Sequence, residues 1–214
     1  MNPYHIEGPG IPPMPKFKDR TTKWDIYIDE ANFFGNVKGR YPNTYEWFDF
    51  FKLGKLVLDD LYEDLDPPHY DIQTVWMFGA MKPNEWGQWA RTRDGHMRDL
   101  MREDTEGVNV FLGEYKPRNT TCPKCGHVWS DFVEKRTDSN FAVQLMMNGD
   151  TDHTDGVLVL GGDEDIIPAV YEAKNNLEKV IIGGVAQLRG VSAALQRLIR
   201  YTEISSDILD ASSV

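Results

Sequence analysis

The chain has 214 residues, 41% of them apolar, and a formal net charge of −11. That length suits one domain with modest additions and buries a core without disulfides. The composition excludes two classes: there is no run of about 18 apolar residues to span a membrane, and two cysteines are too few for a disulfide-stapled secreted fold.

The first twenty residues lack the apolar stretch and small-residue cleavage site of a secretory signal, so a cytoplasmic location is expected. The acidic surplus argues against nucleic-acid binding on charge alone. Its distribution softens that argument. Residues 82–136 hold ten basic and nine acidic side chains, so a basic strip of mixed sign is expected there.

Residues 1–22 contain five of the twelve prolines and no helical period, and read as an extended, partly disordered arm. Residues 24–29 alternate and run apolar into Asp29, as a buried strand does. Residues 45–65 carry Trp47, Phe48, Phe51, Leu53, Leu56, Val57 and Leu61 at helical spacing, with Pro67 and Pro68 as the stop. Residues 71–78 read as a second strand, 84–102 as a helix capped by Asn84, and 108–112 as a third strand. Residues 116–134 break the rhythm around Cys122-Pro-Lys-Cys125-Gly-His127. A helix is expected over 138–147 and an apolar strand over 155–160. Then follow a helix over 166–177 with Pro168 in its first turn, a strand over 179–182 and a helix over 191–200. The last residues, 206–214, read as a frayed polar tail. Strands alternating with helices over 23–205 predict an α/β domain: a doubly wound, mainly parallel sheet with helices on both faces.

In such a sheet the strand C-terminal ends share one edge, where ligands bind. Two acidic clusters follow apolar strands: Asp29-Glu30-Ala31-Asn32 and Asp163-Glu164-Asp165. Asp138 opens the helix before the later strand and is expected beside them. Each aspartate alone also suits a helix N-cap. Together they would repel one another unless a hard cation such as Mg²⁺ balanced them.

The stretch Ile26-Tyr-Ile-Asp29-Glu-Ala-Asn32 resembles the first motif of NYN domains, a branch of the PIN-like ribonucleases. Glu134-Lys-Arg-Thr-Asp138 is similar to their central motif, and Leu160-Gly-Gly162-Asp163-Glu-Asp165 to their third. The resemblance spans about residues 24 to 205. The Cys-Pro-Lys-Cys-Gly-His insertion resembles that of LabA-like members. The resemblance implies a PIN-like fold and a Mg²⁺- or Mn²⁺-dependent nuclease site acting on RNA. It carries Asp29, Asp138, Asp163 and Asp165 over to the acidic metal positions and Asn32 to their polar partner. Two departures stand out: Gly161 where the family often has Ser, and Ile166 where Phe is usual.

Lys135 and Arg136 are candidates for holding backbone phosphates. Trp86 and Trp89 suit either base stacking or the core, and Asn140 and Gln144 either the crevice or solvent. Cys122, Cys125 and His127 form half of a zinc knuckle, to be completed by His96, by His153, or by a twin half-site in a homodimer; an empty, degenerate knuckle is the alternative. A haloacid-dehalogenase phosphatase is disfavoured because Ala31 occupies the place of its acid-base aspartate. A glycine-rich phosphate loop is missing after the first strand, which disfavours a nucleotide cofactor. A binding module without catalysis remains the main competing expectation.

Overall fold

A computed structural model describes residues 21–41, 47–62, 70–81, 87–102, 106–149 and 153–214, with the side chains of 87–93, 102 and 149 outside the description. Residues 1–20 of the expected arm, Asn84 and Trp86, and the side chain of Trp89, therefore lie outside the described residues.

In chain order the elements are β1 (Thr22–Asp29), α1 (Glu30–Arg40), α2 (Phe50–Leu61), β2 (Tyr70–Ala80), α3 (Gly87–Arg102), β3 (Val108–Thr121) and β4 (Val128–Lys135). Then come α4 (Thr137–Gly149), β5 (Gly156–Leu160), α5 (Ile167–Asn175), β6 (Val180–Val185), α6 (Ala193–Leu198), β7 (Arg200–Glu203) and α7 (Ser206–Ser212). They build a seven-stranded sheet in the order β4-β3-β2-β1-β5-β6-β7, in which only the β3–β4 pair is antiparallel.

The strand period of two sorts β1 between two cores. Trp24, Ile26 and Ile28 point into a cluster with Phe33 of α1, Leu53 of α2, Met97 of α3 and Leu209 of α7. Tyr27 points the other way, against Phe141 of α4, Val170 of α5 and Leu195 of α6. Helices therefore cover both faces, as expected for an α/β sheet. Among the described residues no helix is long and apolar enough to cross a membrane.

Several elements differ from the sequence expectation. The segment 116–134 is not an irregular loop. β3 pairs with β2 from Val108 to Gly113, then runs on past the end of β2 and pairs antiparallel with β4 from Glu114 to Thr121, forming a ribbon with the cysteine turn at its tip. Its mixed, solvated side chains conceal the strand period. α1 was not expected, because Gly35 and Gly39 dilute its pattern. It forms because the Asp29 carboxylate accepts the Asn32 N–H as its cap, and Phe33, Phe34 and Val37 are buried. The helix expected over 191–200 is shorter, and the chain leaves it as β7 along β6.

The C-terminal tail is a correction too. Residues 206–212 form α7, capped by Ser205, and bury Leu209 completely. Ser213 bridges Phe48, and the Val214 N–H reaches the Trp47 carbonyl. A short segment polar in composition is held by one apolar anchor and by backbone pairing.

Candidate functional site

The winding of the sheet reverses between β1 and β5, which lie side by side with Ile28 opposite Leu160. Crevices open beyond the strand C-termini at such a reversal. Both acidic loops leave the sheet there, and α4 brings Asp138 across from the adjacent face. A cleft of about 240 Å³ results, lined by Asp29, Ala31, Asn32, Glu134, Lys135, Thr137, Asp138 and Asp163.

Asp29 has the parity of Tyr27 on β1, so it faces the α4 side, and it is 6% exposed. Its Oδ1 accepts the Asn32 N–H at 3.1 Å. The cap reading therefore holds, and the same carboxylate lines the cleft. Burial pushes the Asp29 carboxyl up to about 7; the Asn32 bond opposes this, and the charges of Asp138, Asp163 and Glu134 add to it. Asp138 stands at the exposed mouth, in the first turn of α4. Its carboxyl is raised by partial burial and then by Asp163, Asp165 and Glu134. Asp163 caps the short 3₁₀ turn Glu164–Ile166 by accepting the Asp165 N–H at 3.3 Å. Asp165 itself does not line the cleft; its charge reaches Asp138.

Asn32 ties the two loops together. Its Oδ1 accepts the Gly162 N–H at 2.7 Å while its own N–H goes to Asp29. A second tie holds the loop from below. Gly183 on β6 has no side chain, and a Cβ there would sit 2.2 Å from the Tyr201 ring. The ring therefore lies close against the strand, and its hydroxyl donates to the Gly161 carbonyl at 3.0 Å.

The glycine at position 161 has a physical reason of its own. Its φ is +152°, and a Cβ would stand 3.0 Å from the Asp29 Cβ. The close approach of the two loops uses the room a side chain would fill.

Of the expected phosphate-holding pair, Lys135 lines the cleft, but the Arg136 guanidinium turns to Glu114 at 3.3 Å. Asn140 and Gln144 do not line the cleft, and the Gln144 amide donates to Asn148 within α4. Glu134 and Thr137 are additions. Glu134 accepts the Tyr115 hydroxyl at 2.8 Å and the Thr137 hydroxyl, which joins the ribbon to the start of α4. The sequence signal for Glu134 was its place four residues before Asp138.

Cys122, Cys125 and His127 lie at the ribbon tip. Of the histidines considered for them, His96 stacks on Trp47 at 5.1 Å, and His153 lines a pocket at the opposite edge of the sheet. Among the described residues, no three His, Cys, Asp or Glu side chains form a ready-made ligand group.

No protein-family model matches the chain, and no match to a curated protein was found. Among solved structures, a protein of unknown function from Vibrio parahaemolyticus is similar, with a TM-score of 0.53 and 17% identity. The likeness covers 90% of this chain and 98% of that one, and it bears on the fold alone.

Proposed function

We propose that the protein is a metal-dependent ribonuclease of the PIN-like, NYN type, hydrolysing phosphodiester bonds at the acidic cleft. One observation carries this reading: three stretches far apart in sequence, each resembling an NYN motif, contribute Asp29, Asp138 and Asp163 to one cleft at the reversal of the sheet.

The donor set suits a hard divalent cation. It is all oxygen, and the like charges that help raise Asp29 are what such a cation relieves. Asp29, Asp138 and Asp163 would hold Mg²⁺ or Mn²⁺, with Asp165 and Glu134 beside them. Asp138 and Asp163 are exposed, so their side chains have rotamer freedom to close on an ion. A bound ion supplies activated water and neutralises charge developing on the phosphate. Asn32 keeps the Asp29 and Asp163 loops in register, and Lys135 offers a cation to the substrate backbone at the rim.

A second reading is an RNA- or protein-binding module without catalysis: glycine at position 161 supports it, and the net charge of −11 favours its protein-binding form. The two separate in a cleavage assay on single-stranded and structured RNA with Mn²⁺, Mg²⁺ or EDTA. Metal-dependent cutting that Asp163→Asn loses is the expected result. Intact RNA after incubation with folded, metal-supplied protein would transfer the reading to the binding module.

A further inference from the structure

The tip of the β3–β4 ribbon plays no part in the acidic cleft, yet it is built in detail. It carries the chain's two cysteines, both free thiols. The turn is closed by the Cys122 N–H to the His127 carbonyl at 2.8 Å and the Gly126 N–H to the Cys122 carbonyl at 2.9 Å. Gly126 adopts a φ of +71°, which favours glycine. The backbone N–H groups of Cys125 and Lys124 turn toward the Cys122 sulfur, with the Cys125 thiol beside it.

Paired thiolates on a tight turn are half of a tetrahedral sulfur site, a soft donor set that suits Zn²⁺. Among the described residues, the same chain supplies little toward the other half. The His127 ring is stacked on Trp129, with centroids 6.3 Å apart and planes within 17°. His96 and His153 are engaged elsewhere. Among the described residues, no third ligand joins the two sulfurs.

Next to the half-site, Val128 is 55% exposed and Trp129 42% exposed. Apolar side chains at the end of a projecting ribbon suit burial against another protein surface. A second copy of the same tip offers two thiols in the same arrangement, which would complete a four-thiolate site, and a matching pair of apolar side chains to cover it.

We propose that two copies of this chain join ribbon tip to ribbon tip through one zinc ion, held by Cys122 and Cys125 of each, with Val128 and Trp129 packed around it. The contact is two-fold and self-complementary, which is the commonest way for identical chains to pair. It stands independently of the nuclease reading. It also has a consequence for the cleft: β4 runs from the tip to Glu134 and Lys135, so pairing sets two clefts at a defined separation.

The test uses the full chain purified with zinc, its metal content and its molar mass in solution. One zinc per two chains in a dimer is expected, reverting to monomer under a strong chelator. Cobalt in place of zinc should give the absorption of a tetrahedral four-thiolate site. The Cys122→Ser/Cys125→Ser variant should be monomeric and zinc-free with an unchanged circular dichroism spectrum. Trp129→Ala, which keeps all ligands, should weaken the dimer by about tenfold or more. One zinc per monomer would overturn the proposal by placing the remaining ligands within one chain. So would reduced protein that retains no zinc, a Cys122–Cys125 disulfide as the stable form, or a dimer that survives both chelator and the double variant.

Discussion

β1 carries a buried aspartate near each end, and the two meet opposite environments. Asp25 is 4% exposed and Asp29 6%, on the same face of the sheet. Burial raises both, Asp25 to about 6 and Asp29 to about 7. Around Asp25 the other groups oppose burial: the Trp76 indole donates to Oδ2 at 3.1 Å, the Thr74 backbone helps, and Lys179 and His153 bring positive charge. Around Asp29 the neighbours Asp138, Asp163 and Glu134 add to burial. One edge compensates its buried carboxylate from within the protein. The other gathers like charge, which costs stability and which, on the proposed reading, a bound cation would relieve. Burial alone therefore does not distinguish the two carboxylates; the sign of the surrounding charge does.

The sharpest way to break this contrast is activity. Asp163→Asn should lower metal-dependent RNA cleavage by about 10²-fold or more, whereas Asp25→Asn should leave it close to wild type. Equal losses in both variants, measured as initial rates, would erase the distinction between the edges.

Stability against pH separates them next. The folded pKa of Asp25 lies above its ordinary 3.8, so the fold is most favoured at low pH and loses that advantage as pH rises through about 6. Asp25→Asn keeps an acceptor for Trp76 and removes the charge. It should stabilise the protein by up to about 3 kcal/mol at pH 7.5 and by little below pH 4, in urea titrations across that range. Asp29→Asn should behave similarly without metal. Added Mn²⁺ should then distinguish them. At about 100 times its dissociation constant it should stabilise wild type and Asp25→Asn by about 2.7 kcal/mol, and Asp29→Asn much less, read as a shift in melting temperature.

Smaller effects probe the tie between the acidic loops. Asn32→Ala removes the acceptor for the Gly162 N–H and should cost about 1–2 kcal/mol, together with part of the metal-induced stabilisation. Gly161→Ser should cost about 1 kcal/mol or more, because a Cβ at φ +152° crowds Asp29. A stable and more active Gly161→Ser protein would show that the loop relaxes easily.

Much of this fold was legible because long, one-sided or fully buried segments announce themselves. The apolar runs before Asp29 and Asp163 read as buried strands and are β1 and β5, and the parallel order put their ends on one edge. The stretches that escaped reading draw their stability from elsewhere in the chain. α1 depends on the Asp29 cap and on phenylalanines packed against α2. β4 exists only because β3 continues past the end of β2 to pair with it, and α7 is anchored by Leu209 and the Phe48 bridge. Among the site residues, Asp29, Asp138 and Asp163 were visible from their places after strands and at a helix start. The ion pair of Arg136 with Glu114 was not visible, because Glu114 lies across the ribbon, a pairing that local sequence does not reveal.

The sequence by itself determined the alternation of strands and helices, and with it a sheet edge bearing aspartates, because apolar periodicity is a local property. It also determined a paired-thiol turn, because Cys-Pro-Lys-Cys-Gly specifies its own backbone. Only the tertiary structure decided which charges surround each buried aspartate, that Asn32 clamps one acidic loop to the other, and that the cysteines stand at the end of a ribbon without a third ligand among the described residues. Those properties depend on distances between segments far apart in the chain, and packing sets such distances.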